Sequence, residues 1–208
     1  GGTLALRYME AHPGVVRGTV LVSNPIDFPD TLQNIHAECT ALYERRLFTS
    51  KQIAEVASLH DKMFPNGFTA PFEFDAADIG ATMGKAMDCG LYFPALSSAF
   101  GALTTWGKVL ATSENRGLLT EMNEQIPAAI QAHDHLFSQQ LASLATSQKD
   151  HLWGIYGDAD GLVTKKQREQ LQKIMGEDRF TVLEGASHFA FMDDEDAFME
   201  AFLADLAA

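Results

Sequence analysis

Two apolar runs in the last quarter of this 208-residue chain end in ionisable groups suited to acid–base chemistry. His151-Leu152-Trp153-Gly154-Ile155-Tyr156-Gly157 stops at Asp158-Ala159-Asp160, and the run that closes at Leu183 stops at Glu184-Gly185-Ala186-Ser187-His188. A strand that breaks off at a small-residue turn carries its next polar side chain to the end of a sheet. An imidazole takes a proton from a hydroxyl near neutral pH, and a carboxylate on its other nitrogen fixes tautomer and orientation. Asp158 or Asp160, together with His188, would therefore supply the acid and the base of a charge-relay triad. The third member, a nucleophile, has to come from elsewhere.

The elements that would position this pair follow from pattern. Residues 164–175 read as an amphipathic helix with Leu171, Ile174 and Met175 inward and Lys165, Lys166, Arg168 and Lys173 on a solvated face. A single helix between two strand-like runs implies neighbouring parallel strands joined by a crossover. The second of these strands spans residues 179–183. A closing helix over 194–206 places Phe198, Met199, Phe202, Leu203 and Leu206 on its buried stripe, and the acidic opening Asp193-Asp194-Glu195-Asp196 suits a helix N-terminus. At the other end of the chain, Gly1-Gly2-Thr3-Leu4-Ala5-Leu6 opens a helix that runs to His12-Pro13, with Leu4, Ala5, Tyr8 and Met9 as its inward stripe. The β-rich run Arg17-Gly18-Thr19-Val20-Leu21-Val22-Ser23 follows and stops at Asn24-Pro25.

Between these ends the alternation disappears. Residues 30–48, 50–63, 75–88 and 122–144 read as helices, and Thr49-Ser50 gives a cap signal for the second. Three divisions result: core over 1–27, a helical region over 28–148, and core again over 149–208. Phe64, Phe68, Phe72, Phe74, Tyr92, Phe93, Phe100 and Trp106 crowd the middle, as helical core or as an apolar pocket.

Composition narrows the partners. With 46% hydrophobic and 21% charged residues the chain is of ordinary globular type. Its net charge of −13 disfavours nucleic acid and anionic membrane as partners. No apolar run approaches the roughly 20 residues of a membrane span. Cys39 and Cys89 lack metal-like spacing and read as reduced thiols, in keeping with a cytoplasmic location. His133 and His135, two apart on a helix, diverge and make a poor metal pair, so no metal site is expected.

The two ends of the chain together resemble the α/β-hydrolase family, in its capped, prolyl-aminopeptidase-like and esterase branch. Gly1-Gly2-Thr3-Leu4-Ala5-Leu6 and His12-Pro13 are similar to the half of the nucleophile elbow G-x-S-x-G that follows the nucleophile, and Gly1 and Gly2 would be its structural glycines. Gly157-Asp158-Ala159-Asp160 matches the family's G-x-x-D acid loop and Gly185-Ala186-Ser187-His188 its histidine loop. The resemblance thus selects Asp160 as acid and His188 as base, and leaves Asp158 to an Asx-type turn. It implies an α/β fold made of the C-terminal part of a doubly wound sheet, strands six to eight, with an inserted all-helical lid.

It further implies that nucleophile and oxyanion hole lie upstream of Gly1, on a second polypeptide carrying the N-terminal half of the hydrolase. The reaction implied is hydrolysis of a small carboxylic ester or amide by acyl transfer, without a cofactor. The scaffold also carries prolyl-type aminopeptidases and, with an Asp nucleophile, haloalkane dehalogenases and epoxide hydrolases. A non-catalytic ligand-binding homologue is a further alternative. The lid acids that prolyl aminopeptidases carry around a W-E motif have no counterpart at Trp106-Gly107-Lys108.

Overall fold

The computed structural model describes residues 2–44, 49–67, 75–88 and 141–207. The chain is mixed α/β and divides into two compact units. One comprises Gly1–Thr31 with Gln139–Ala208, the other Leu32–Ser138. The divisions therefore fall a few residues later, and about ten residues earlier, than the pattern of the sequence suggests.

In the first unit, helix α1 (Gly2–Ala11) leads to strand β1 (Thr19–Val22), which is rich in β-branched residues. Strand β2 (Leu152–Gly157) and strand β3 (Phe180–Leu183) complete a parallel sheet of order β1-β2-β3. Thr19 pairs with Leu152 and Val22 with Ile155, while Gly154 pairs with Phe180 and Gly157 with Leu183. The central strand β2 is covered on both faces, which explains its nearly unbroken apolar run. Its alternate side chains go to separate cores. Leu152 and Tyr156 join Leu6 and Met9 of α1, Leu21, and Leu171 of helix α6 (Lys165–Met175). Ile155 faces Leu183 and Ala190 on the other side, where Phe198 and Phe202 of the last helix pack. Helix α6 is the crossover from β2 to β3, as expected. Thr164 caps it by accepting from Gln167 N at 3.3 Å.

Three expectations for this unit need correction. In α1 the buried positions are Leu6 and Met9, whereas Leu4 and Tyr8 are exposed. In helix α8 (Glu195–Ala207) Met199, Leu203 and Leu206 are exposed, and Ala197, Phe198, Ala201 and Phe202 make the contact with the sheet. Helix α5 (Leu141–Ser147), assigned by pattern to the helical middle, sends Leu141, Leu144 and Ala145 into the core beside Leu6 and Leu152. The short helix α7 (Ala190–Asp193) precedes α8.

The second unit takes most of helix α2 (Phe28–Glu44), together with α3 (Ser50–Met63) and α4 (Ala76–Asp88). Thr49 and Gln52 form a reciprocal capping box at the start of α3, as the cap signal indicates. Lys85–Glu55 and Lys62–Asp78 ion pairs tie α4 to α3. Phe64 is buried. Phe68, Phe72, Phe74, Tyr92, Phe93, Phe100, Trp106, His133, His135 and Cys89 lie outside the described residues, as does Gly1. Cys39 is disulfide-bonded, contrary to the expectation of reduced thiols, and this removes the argument from free thiols for a cytoplasmic location. No described helix is long and apolar enough to cross a membrane.

His36 is buried on α2, with its ring 5.3 Å from that of His60 on α3 and its Nε2 3.4 Å from Thr82 Oγ1 on α4. Burial, and secondarily the neighbouring His60, holds its imidazole down at about 4 against an ordinary 6.5. The unfolded chain takes up this proton below about pH 6.5, whereas the folded chain refuses it until about pH 4. The stability it contributes is complete above that window and is lost as pH falls through it, on the order of 3 kcal/mol. Chemical denaturation at pH 7 and pH 4 should show this loss in the wild type and a smaller one in His36→Phe. Equal losses in the two proteins would contradict it.

Candidate active site

The C-terminal ends of β2 and β3 bring the two sequence-selected residues together. Past Gly157 the chain turns so that Asp160 lies 3.0 Å through Oδ2 from Nδ1 of His188. The Asp160 side chain is wholly buried and that of His188 is 19% exposed. Asp160 Oδ1 accepts from Leu162 N at 2.7 Å and from Val163 N at 3.1 Å. One carboxylate oxygen is thus anchored to its own loop and the other is directed at the ring. An ionised carboxylate can only accept, so the shared proton resides on Nδ1 and the imidazole lone pair on Nε2. This is the tautomer a general base requires.

The two loops are held to each other beyond the last rungs of the sheet. Asp158 N donates to Leu183 O at 3.1 Å and Ala159 N to Ala186 O at 3.0 Å. Asp158 Oδ1 accepts from Gly185 N at 2.6 Å. The local Asx-type turn therefore belongs to Asp160, and Asp158 bridges to the histidine loop instead, a correction to the role expected of it. Gly185 turns that loop in the left-handed region, with φ 70°. Gly157 permits the close approach, because a Cβ there would lie 2.1 Å from Ala186 O. Gly157→Ala must displace backbone next to His188. It should cost about 3 kcal/mol in denaturation, and a variant of unchanged stability would show that the two loops are loosely joined.

Several supporting groups carry no obvious mark in the sequence. Ser187 N and Ser187 Oγ both donate to Asp193 Oδ2, at 2.6 and 2.5 Å, which fixes the residue immediately before His188. The acidic run around Asp193 reads as helix capping, and Asp194 does cap α8 by accepting from Ala197 N. Asp193 has this different task, and only the surplus of acids over what one cap needs hints at it. Arg168, expected on a solvated face, donates to Val163 O and Asp158 O and so clamps the acid loop. Gln167 is fully buried. It accepts from Ile26 N and Asp27 N and donates to Asp30 Oδ2 and Thr31 Oγ1, anchoring the segment after β1 to α6.

A Cβ on Gly2 would meet the Asn24 side chain at 2.3 Å, so α1 begins hard against the residues that follow β1. Among the described residues no group of His, Cys, Asp and Glu is arranged to hold a metal ion. No family model, curated protein or solved structure matches this chain.

Proposed function

We propose that this chain carries the acid–base part of an α/β-hydrolase-type site, which hydrolyses a small carboxylic ester or amide by acyl transfer. The observation that carries the reading is the Asp160–His188 pair, with one carboxylate oxygen on Nδ1 and the other saturated by two backbone N–H groups. In this reading His188 takes the proton of a serine hydroxyl through Nε2 and returns it to the leaving group. It then activates the water that releases the acid. Asp160 holds the ring and stabilises the imidazolium in both halves of the reaction.

The serine is assigned to polypeptide outside these 208 residues, which would complete the sheet next to β1. The exposed Leu4 and Tyr8 of α1 and the exposed Leu203 and Leu206 of α8 support this, because a further layer would cover them. The three strands then correspond to the last three of a hydrolase sheet. The helical middle corresponds to the segment that this family inserts as a lid.

A common acyl-enzyme makes a specific demand. Phenyl acetate and p-nitrophenyl acetate, hydrolysed by the native protein in the presence of methanol, should give one ratio of methyl acetate to acetic acid whatever the leaving group. A ratio that changes with the leaving group would remove the acyl intermediate.

A further inference from the structure

Ser23, directly after β1, combines two costs that its fold does not recover. Its backbone lies in the left-handed region, at φ 48°, and among the described residues it is the non-glycine residue found there. A Ser side chain resists that conformation. Ser23 is also 3% exposed, and its Oγ has no hydrogen-bond partner. The polar groups around it are used. Ser23 N donates to Ile155 O at 3.1 Å, Asn24 O accepts from Tyr156 Oη at 3.0 Å, and Ile26 N and Asp27 N go to Gln167. A buried hydroxyl without a partner requires an explanation, and strain of this kind collects at functional sites.

Its position supplies one. Val22 pairs with Ile155, so Ser23 stands beside Tyr156 at the C-terminal edge of the parallel sheet, where ligands of such sheets bind. The Tyr156 phenol is pushed far up by burial, and the Asp160 charge adds to the shift, so this hydroxyl lies within the field of the acid. Tyr156 Oη in turn donates to Asn24 O at 3.0 Å, next to Ser23, and β2, which carries Tyr156, leads directly into the loop that holds Asp160.

We infer that Ser23 Oγ is a substrate-contacting group of the Asp160–His188 site, donating a hydrogen bond to a carbonyl or carboxyl oxygen of the bound ester or amide. The inference rests on the hydrolase reading, and it adds a residue which that reading does not require. No covalent step is assigned to Ser23. A hydroxyl kept without a protein partner, in a conformation glycine would adopt more easily, fits a group reserved for a ligand.

Ser23→Ala removes the hydroxyl and keeps the strain, whereas Ser23→Gly removes both. With p-nitrophenyl acetate as probe and the native protein as enzyme, both variants should lose about tenfold or more in kcat/KM. Their Tm should be unchanged or higher, highest for Ser23→Gly. Wild-type kcat/KM in Ser23→Ala, or a Tm clearly below wild type, would overturn the inference by making the hydroxyl idle or structural. His188→Ala is assayed alongside. Hydrolysis that survives in His188→Ala overturns the hydrolase reading and the inference with it. Hydrolysis lost in His188→Ala but intact in Ser23→Ala overturns the inference alone.

Discussion

Replacing His188 with alanine is expected to lower kcat/KM for p-nitrophenyl acetate by at least about 10⁴-fold while leaving the fold in place. Without the imidazole nothing in the site takes the nucleophile's proton. The loop itself is secured by other bonds: Gly185 N to Asp158, Ser187 N and Oγ to Asp193, and Ala159 N to Ala186 O. The His188 side chain sits at the rim and fills little of the core. Thermal unfolding of the variant should therefore match wild type. Retained hydrolysis would remove His188 from the mechanism.

Asp160→Asn should cost nearly as much, about 10⁴-fold in kcat. The local geometry says why. Two backbone N–H groups, from Leu162 and Val163, point at Oδ1, so the amide oxygen of an Asn takes that place. The amide NH₂ is then directed at His188 Nδ1, where it can only donate. The imidazole is driven into the opposite tautomer, with its proton on Nε2 facing the nucleophile, and it no longer acts as a base. Asp158→Asn makes a contrast. An amide oxygen can still accept from Gly185 N at that exposed position, so turnover should remain near wild type. If Asp158→Asn proved the more damaging of the two, the acid role would pass to Asp158.

The parts of this structure legible from sequence are those in which one short segment decides its own fate. The β2 run is apolar along nearly its whole length because it is covered on both faces, so its identity as a central strand can be read directly. Asp160 and His188 are legible because each follows such a run at once, in a turn of small residues. The cap at Thr49 is legible because its partner, Gln52, is three residues away.

What escapes is set by partners distant in sequence. The stripe of α1 is misjudged because Leu4, Ala5, Leu6, Tyr8 and Met9 put apolar groups on several sides of ten residues. Periodicity alone cannot choose among those sides. Gln167 is missed because a polar residue is ordinarily exposed, and its burial is explained only by acceptors and donors about 140 residues earlier in the chain. Asp158 is assigned to a local turn because its real partner, Gly185, is 27 positions on. The oxidised state of Cys39 likewise has no local signature. The juxtaposed Asp160 and His188 can thus be picked out by pattern, whereas the bonds from Asp158, Arg168 and Asp193 that hold their loops require the folded chain.

The most direct test of a serine nucleophile served by Asp160 and His188 is a denaturing intact-mass spectrum of the native protein after exposure to a fluorophosphonate. One covalent adduct on a single serine is expected, at a rate that falls by orders of magnitude in His188→Ala. An unlabelled protein, or labelling that is as fast without His188 as with it, would contradict it.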